Sequence, residues 1–404
     1  MYGVTGARIT RRTLLAGAGA SAVATGLGAC GPGGSPTAAT SAPTSPAAAV
    51  SGPTAAPSPS PAAEAALRKK IARMLIAGFR GATVGPGDWI VRAIAEQGLG
   101  GVILFDRDQL TGGSRNIDSP RQVTALIRAL RAAAPHVIVS IDQEGGKIAR
   151  LKPANGFPAT ASQEAIGARD SPKATRQWAE GMAKTLVDIG VDYNFAPVVD
   201  LAVNPDNPAI AQLDRAFSAD PAVVAANAEI AIKAYRAAKV RSSVKHFPGL
   251  GSASGNTDFE SVDVTDTWTR TELEPYRTLI KDGTVDTVMV THFHNRQLDP
   301  ELPMSLSHAV VTGLLREQLG WDGLVVSDDM QATAITNRYR REQAVELALA
   351  AGVDQLVFGN QAVYDPDVVQ GVVGTVLDLV RAGKVTEAQI DRSVARIDAL
   401  WPSR

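Results

Sequence analysis

Eight short apolar runs rich in β-branched residues, each separated from the next by a longer stretch of helical period, constrain this chain more than any other feature. The runs are Met74 to Phe79, Gly101 to Phe105, Val137 to Asp142, Tyr193 to Val199, Ser243 to Phe247, Thr287 to His292, Leu324 to Ser327 and Gln355 to Phe358. Runs of this kind read as parallel strands buried on both faces, and parallel strands need crossover connections, which the intervening segments supply. Ser119-Pro120 opens one helix, with apolar positions Val123, Leu126, Ile127 and Leu130 on one face. Asp220-Pro221 opens another that runs to Lys239, and Thr386 with Gln389 three residues later has capping-box spacing for the last helix. Eight strand and helix pairs in about 340 residues predict an α/β fold, a closed (β/α)8 TIM-type barrel. An open doubly wound sheet would more often carry a Gly-rich phosphate loop after its first strand, and none appears.

The barrel does not need the whole chain of 404 residues. Arg11 and Arg12 precede an apolar, Ala- and Gly-rich stretch to Leu27, the layout of an export signal over residues 1–30. Leu27-Gly-Ala-Cys30 resembles the lipobox of bacterial lipoproteins, which makes Cys30 the expected lipidation site, and the paired arginines resemble a twin-arginine signal. The protein is thus expected on the outer face of the bacterial cytoplasmic membrane, touching lipid only through that anchor. Cys30 is the only cysteine, so no intramolecular disulfide or thiolate metal cluster can form. Residues 31–63 are almost wholly Pro, Ser, Thr, Ala and Gly, too poor in large apolar side chains to offset their ordering entropy, and read as a flexible linker. The barrel is expected over residues 64–404, as a monomer. A formal net charge of −1 without a basic block argues against nucleic acid as a partner.

Catalytic groups in such barrels stand at the C-terminal ends of strands and in the loops that follow. Asp142, Asp200, Lys245, His246, His292, Asp328 and Asp329 all fall there. One Asp after a strand is usually a helix cap. Seven ionisable groups converging on one rim are harder to explain in that way.

Six motifs in order, Ile141-Asp-Gln-Glu-Gly-Gly146, Asn194-Phe-Ala-Pro-Val-Val-Asp200, Asp214-Arg-Ala-Phe-Ser218, Lys245-His-Phe-Pro-Gly249, Thr291-His292 and Val326-Ser-Asp-Asp-Met330, resemble the N-terminal barrel of glycoside hydrolase family 3. The resemblance is greatest to its single-domain β-N-acetylglucosaminidase branch. It implies a retaining exo-β-N-acetylhexosaminidase acting on terminal β-N-acetylglucosaminides of cell-wall muropeptides or chitin-like oligosaccharides. Asp328 is implied as the nucleophile, and Asp142, Arg215, Lys245 and His246 as the grip on the non-reducing sugar. Asp200 and His292 would orient those groups, and Asp329 suits a structural cap. Without a ligand, Asp142 could simply pair with Arg215. A retaining enzyme needs an acid opposite its nucleophile, typically ~5 to 5.5 Å away.

The branch places an Asp-Ser-His acid/base dyad in the loop after the fifth strand. Here that stretch reads Asn256-Thr257-Asp258, and the five histidines lie at 136, 246, 292, 294 and 308. A carboxylic acid kept protonated can replace the imidazole, which makes Asp258 the candidate acid, with Glu260 and Asp263 as alternatives. Gly249, Gly251 and Gly255 would let the loop close over substrate or serve only as turn residues. Other readings are a β-glucosidase or xylosidase of the same family, a saccharide-binding lipoprotein that has lost turnover, or an aldolase using Lys245 as a Schiff-base lysine. His292 and His294 lack a third ligand nearby, so no metal and no cofactor are expected.

Overall fold

The computed structural model describes residues 60–402. The expected export signal, Cys30 and the linker up to residue 59 lie outside the described residues. Eight parallel strands close into a barrel in chain order: β1 Leu75–Gly78, β2 Gly101–Leu104, β3 Ile138–Ile141, β4 Tyr193–Asn194, β5 Arg241–Phe247, β6 Thr287–Val290, β7 Leu324–Asp329 and β8 Gln355–Phe358. Closure is made by β8 on β1, with Leu75 opposite Leu356. A short antiparallel hairpin, Gln143–Gly145 with Ile148–Ala149, follows β3 at the mouth.

The strands are buried along almost their whole length because helices cover their outer face and side chains fill the interior. Helix α1 spans Pro61–Arg73, α2 Pro120–Ala133, α3 Pro172–Ile189, α4 Pro221–Ala237, α5 Glu274–Lys281, α6 Arg341–Ala351, α7 Val368–Arg381 and α8 Glu387–Leu400. A π-helical segment, Ala309–Gln318, covers the sheet between β6 and β7. The caps read from sequence are in place: Ser119 and Gln122 form a reciprocal capping box, Asp220 accepts the Ala222 N–H, and Thr386 accepts that of Gln389. Val123, Leu126, Ile127 and Leu130 of α2 are buried. Among the described residues no helix is long and apolar enough to cross a membrane.

Several boundaries differ from the sequence reading. Helix α1 begins at Pro61, with the Ser60 side chain accepting the Ala63 N–H, so residues 61–63 belong to the barrel and not to the linker. Pro at the first helical position lacks only an N–H that would have had no helical partner. Strand β4 stops at Asn194 rather than Val199. Pro197 cannot donate to a ladder, and only an isolated bridge between Val198 and Lys245 continues the pairing. Strand β7 runs two residues further than expected, to Asp329, which pairs with Val357 across an irregular register.

Candidate active site

The mouth is organised by an alternating chain of charges. On β5 the register against β6 shifts between Val244 and Phe247, around the cis peptide that joins Lys245 to His246, and these consecutive residues both reach the pocket. Lys245 Nζ lies 2.8 Å from Asp142 Oδ1 and 2.8 Å from Glu144 Oε1. Arg215 grips Glu144 with two bonds, at 2.7 and 2.8 Å. Arg150 reaches the other oxygen of Asp142 at 3.2 Å. The pairing of Asp142 with Arg215 is therefore corrected: Glu144 is the partner of Arg215, and Asp142 that of Lys245 and Arg150. Glu144 was missed as a site residue. Its spacing of two from Asp142 was the available signal, since alternate residues of an extended segment share a face.

Burial alone would raise the carboxyls of Asp142 and Glu144, but the adjoining cations outweigh it and hold both well below the usual range. Burial would likewise lower the Lys245 ammonium, yet the two carboxylates raise it. An ammonium held between two carboxylates is a poor nucleophile toward a carbonyl, which counts against the Schiff-base reading.

Arg215 Nη2 also contacts His246 Nε2 at 3.0 Å, and His246 Nδ1 lies 2.6 Å from Asp200 Oδ2. A guanidinium only donates, so Nε2 accepts and the ring proton sits on Nδ1, donated to Asp200. His246 is thus fixed between Arg215 and Asp200. His292 is similarly tied, with Nε2 donating to the Asp329 carbonyl at 2.9 Å and Nδ1 against the Ser305 hydroxyl at 2.6 Å. It braces the end of β7 from behind.

Asp328 and Asp329 end that strand. Asp328 Oδ1 accepts the Asp329 N–H at 2.9 Å and Oδ2 the Thr291 hydroxyl at 3.3 Å. Burial would raise the Asp328 carboxyl, but the side of the pocket carrying His292, His246 and Lys245, together with the Asp329 N–H, holds it below the usual range. Asp329 instead accepts the backbone N–H groups of Gln331 and Gly359 at 3.0 and 2.9 Å and so ties β7 to the loop after β8.

The loop after β5 brings Asp258 to the same cavity. Its backbone is anchored, since Thr333 N donates to the Asp258 carbonyl and Ala334 N to that of Thr257. Asn256 Oδ1 accepts the Asp258 N–H at 2.9 Å, so the residue at the expected dyad-partner position shapes the turn. The enclosing walls and, next, the charge of Asp328 push the Asp258 carboxyl up to about 6, although the side chain stays open to solvent in the pocket. Glu260 and Asp263 do not line the cavity; Asp263 pairs with Arg296 at its exposed edge. The loop glycines serve close approach and turning: a Cβ at Gly251 would stand 2.1 Å from the Leu201 carbonyl, and Gly249 has φ +114°.

The cavity measures about 470 Å³, within the range of small-molecule sites, and is lined by Asp142, Glu144, Arg215, Lys245, Asp258 and Asp328 among others. Among the described residues no group of three or more His, Cys, Asp or Glu is placed to hold a metal ion. A parallel barrel whose mouth gathers carboxylates and cationic donors around a sugar-sized space is the class of a barrel glycosidase. The chain belongs to glycosyl hydrolase family 3, whose N terminal domain matches residues 66–400. It is similar to Beta-hexosaminidase LpqI of Mycobacterium tuberculosis, at 32% identity over 393 residues that cover 95% of each chain. It is 29% identical to Beta-hexosaminidase A of Pseudoalteromonas piscicida over 76% of this chain, and spans about half, 54%, of that relative. Among solved structures it resembles a glycoside hydrolase family 3 beta-N-acetylglucosaminidase from Paenibacillus, with TM-score 0.75 and 32% identity over 83% of this chain and 62% of that one.

Proposed function

We propose that this chain is a retaining exo-β-N-acetylhexosaminidase that removes terminal β-N-acetylglucosaminyl residues from cell-wall muropeptides or chitin-like oligosaccharides. It works as a monomer, exported by residues 1–30 and held on the outer face of the membrane by a lipid on Cys30, with the segment beyond as its tether. The names of its relatives support the sugar, and the Leu27-Gly-Ala-Cys30 motif supports the anchor.

One arrangement carries the mechanism: Asp328 at the end of β7 and Asp258 on the loop after β5 line the same cavity as the residues that grip the sugar, and enclosure with the Asp328 charge pushes the Asp258 carboxyl up to about 6. Asp142, Arg215, Lys245 and His246 hold the hydroxyls of the terminal sugar. An Asp328 oxygen bonds to C1 as the bond from C1 to the leaving oxygen breaks, and Asp258 gives its proton to that oxygen. Asp258, now a carboxylate, takes a proton from water, whose oxygen bonds to C1 while the bond to Asp328 breaks. The sugar leaves with its configuration retained, and both carboxyls return to their starting states.

The test is hydrolysis of an aryl β-N-acetylglucosaminide, followed by trapping with a fluorinated amino-sugar glycoside and mapping of the labelled peptide. The label belongs on Asp328. Turnover of an aryl β-glucoside or xyloside alone would move the chain to another branch of the family. Calorimetric saccharide binding without any turnover would make it a binding lipoprotein.

A further inference from the structure

The loop that carries Asp258 is gripped from below by a group with no part in that scheme. Glu272 lies in the 3-10 turn Arg270–Leu273 ahead of α5 and is 1% exposed. Its Oε2 accepts the Gly251 N–H at 2.7 Å, while Oε1 is buried without a hydrogen-bond partner. On the neighbouring peptide, Asp200 accepts the Leu250 N–H at 2.8 Å. Two carboxyl groups therefore hold successive amides of one turn. The main chain is pressed against Glu272, since a Cβ at Gly249 would stand 2.6 Å from the Glu272 Cβ. Trp268 completes the seat by donating from Nε1 to the Pro248 carbonyl at 3.2 Å.

A buried carboxyl beside a second carboxylate is most stable with its proton on. Burial, with the Asp200 charge behind it, outweighs the pull of the Ser252 hydroxyl and the Gly251 N–H and pushes the Glu272 carboxyl up to about 7. The titratable groups that face it are Asp200, from the loop after β4, and Tyr276 of α5, whose phenol burial keeps neutral. Among the described residues no Lys or Arg lies within ion-pair distance of it.

We propose that Glu272 is a positioning residue, which clamps Gly251 and so fixes the loop that presents Asp258 to the leaving oxygen. Ionisation sets a second negative charge against Asp200, and their repulsion works to part the loop from the turn before α5. The proposal rests on Asp258 being the acid of the reaction.

The test uses the full chain as wild type, E272Q, E272A and D258A. Amide exchange is followed in peptides covering residues 248–258 at about pH 6 and about pH 8.5, corrected for intrinsic exchange. Hydrolysis is followed with aryl β-N-acetylglucosaminides bearing a good and a poor leaving group. Protection of the loop should fall ~10-fold at the higher pH in wild type, persist at both in E272Q, and be lost at both in E272A. Turnover of the poor leaving group by E272A should drop ~10-fold or more, with the good one and KM little changed, because only the former needs a delivered proton. Equal slowing of both substrates, or loop exchange in E272A identical to wild type, overturns the proposal. If D258A handles the poor leaving group as well as wild type does, the acid assignment fails, and the exchange data alone decide whether Glu272 holds the loop.

Discussion

At the N-terminal floor of the barrel, Asp192, Asp286 and Asp354 each stand one residue before an even-numbered strand, and each repeats the same arrangement. They accept the N–H of Val139, Ser242 and Val325 on the preceding odd strand, at 3.0, 3.2 and 2.9 Å. Each also pairs with an arginine from the helical segment leading into that odd strand: Arg131 at 2.7 Å, Arg236 at 3.0 Å and Arg316 at 2.7 Å. The mouth is built differently. Asp142 and Glu144 share Lys245, and among the described residues neither Asp328 nor Asp258 has a Lys or Arg within ion-pair distance. A carboxylate with its own cation and its own amide is fully occupied and only stabilises. One without a paired cation can bond to a sugar carbon or hold a proton.

That contrast breaks most decisively at Asp328. D328N should lower kcat by at least ~10^4-fold, since the amide cannot form the glycosyl ester, while leaving the midpoint of urea unfolding nearly unchanged. A large stability loss would mean that Asp328 is a structural group like those of the floor. D258N comes next, with a ~10^2- to 10^4-fold loss on substrates with poor leaving groups. In the proposed scheme the first step needs the proton on Asp258, so kcat/KM in wild type should fall as pH rises through about 6. The acid limb should lie below the ordinary carboxylate range, because Asp328 must be ionised. D258N should lack the alkaline limb. Persistence of that limb in D258N would assign it to another group.

At the floor the effects reverse. D354A removes a carboxylate that serves Arg316, Arg396, Ser393 and the Val325 N–H together. It should cost about 3–5 kcal/mol in chemical unfolding, because buried donors are left unpaired. The kcat and KM of the molecules that remain folded should not move. A shift in KM would show that floor and mouth are coupled through the strands.

The strands were legible because parallel strands buried on both faces leave nearly continuous apolar runs, as in Gly101 to Leu104 and Gln355 to Phe358. Tyr193 to Val199 was read too long because an apolar run says nothing about whether each residue can donate, and Pro197 cannot. Asp328, Lys245 and His246 stood out at strand ends, and Asp258 by occupying the place of an expected imidazole. Glu144 and Glu272 were not read as site residues. Glu144 acts only once Arg215 folds against it from 71 residues away. Glu272 depends on Gly251 across a span of 21 residues, with no local pattern to mark the meeting. The floor aspartates sit visibly before their strands, but their arginine partners lie 38 to 61 residues distant.

The smallest expected effect lies in the quarter of the floor where the repeat is incomplete. Arg73 of α1 occupies the arginine position, but the residue before β2 is Gly100, and a Cβ there would stand 2.0 Å from the Arg73 carbonyl oxygen. No carboxylate fits. Arg73 instead donates to the carbonyls of Gly100 and His136, each at 3.2 Å, and pairs with Asp398, whose side chain is 46% exposed. The Gly100 carbonyl already accepts the Ile138 N–H at 3.0 Å, so it keeps a partner if Arg73 is removed. R73A should therefore cost only about 1 kcal/mol, a Tm drop on the order of 2 °C by calorimetry. A loss as large as that of D354A would mean that carbonyls alone can clasp the floor, and that the three aspartates are not what sets floor apart from mouth.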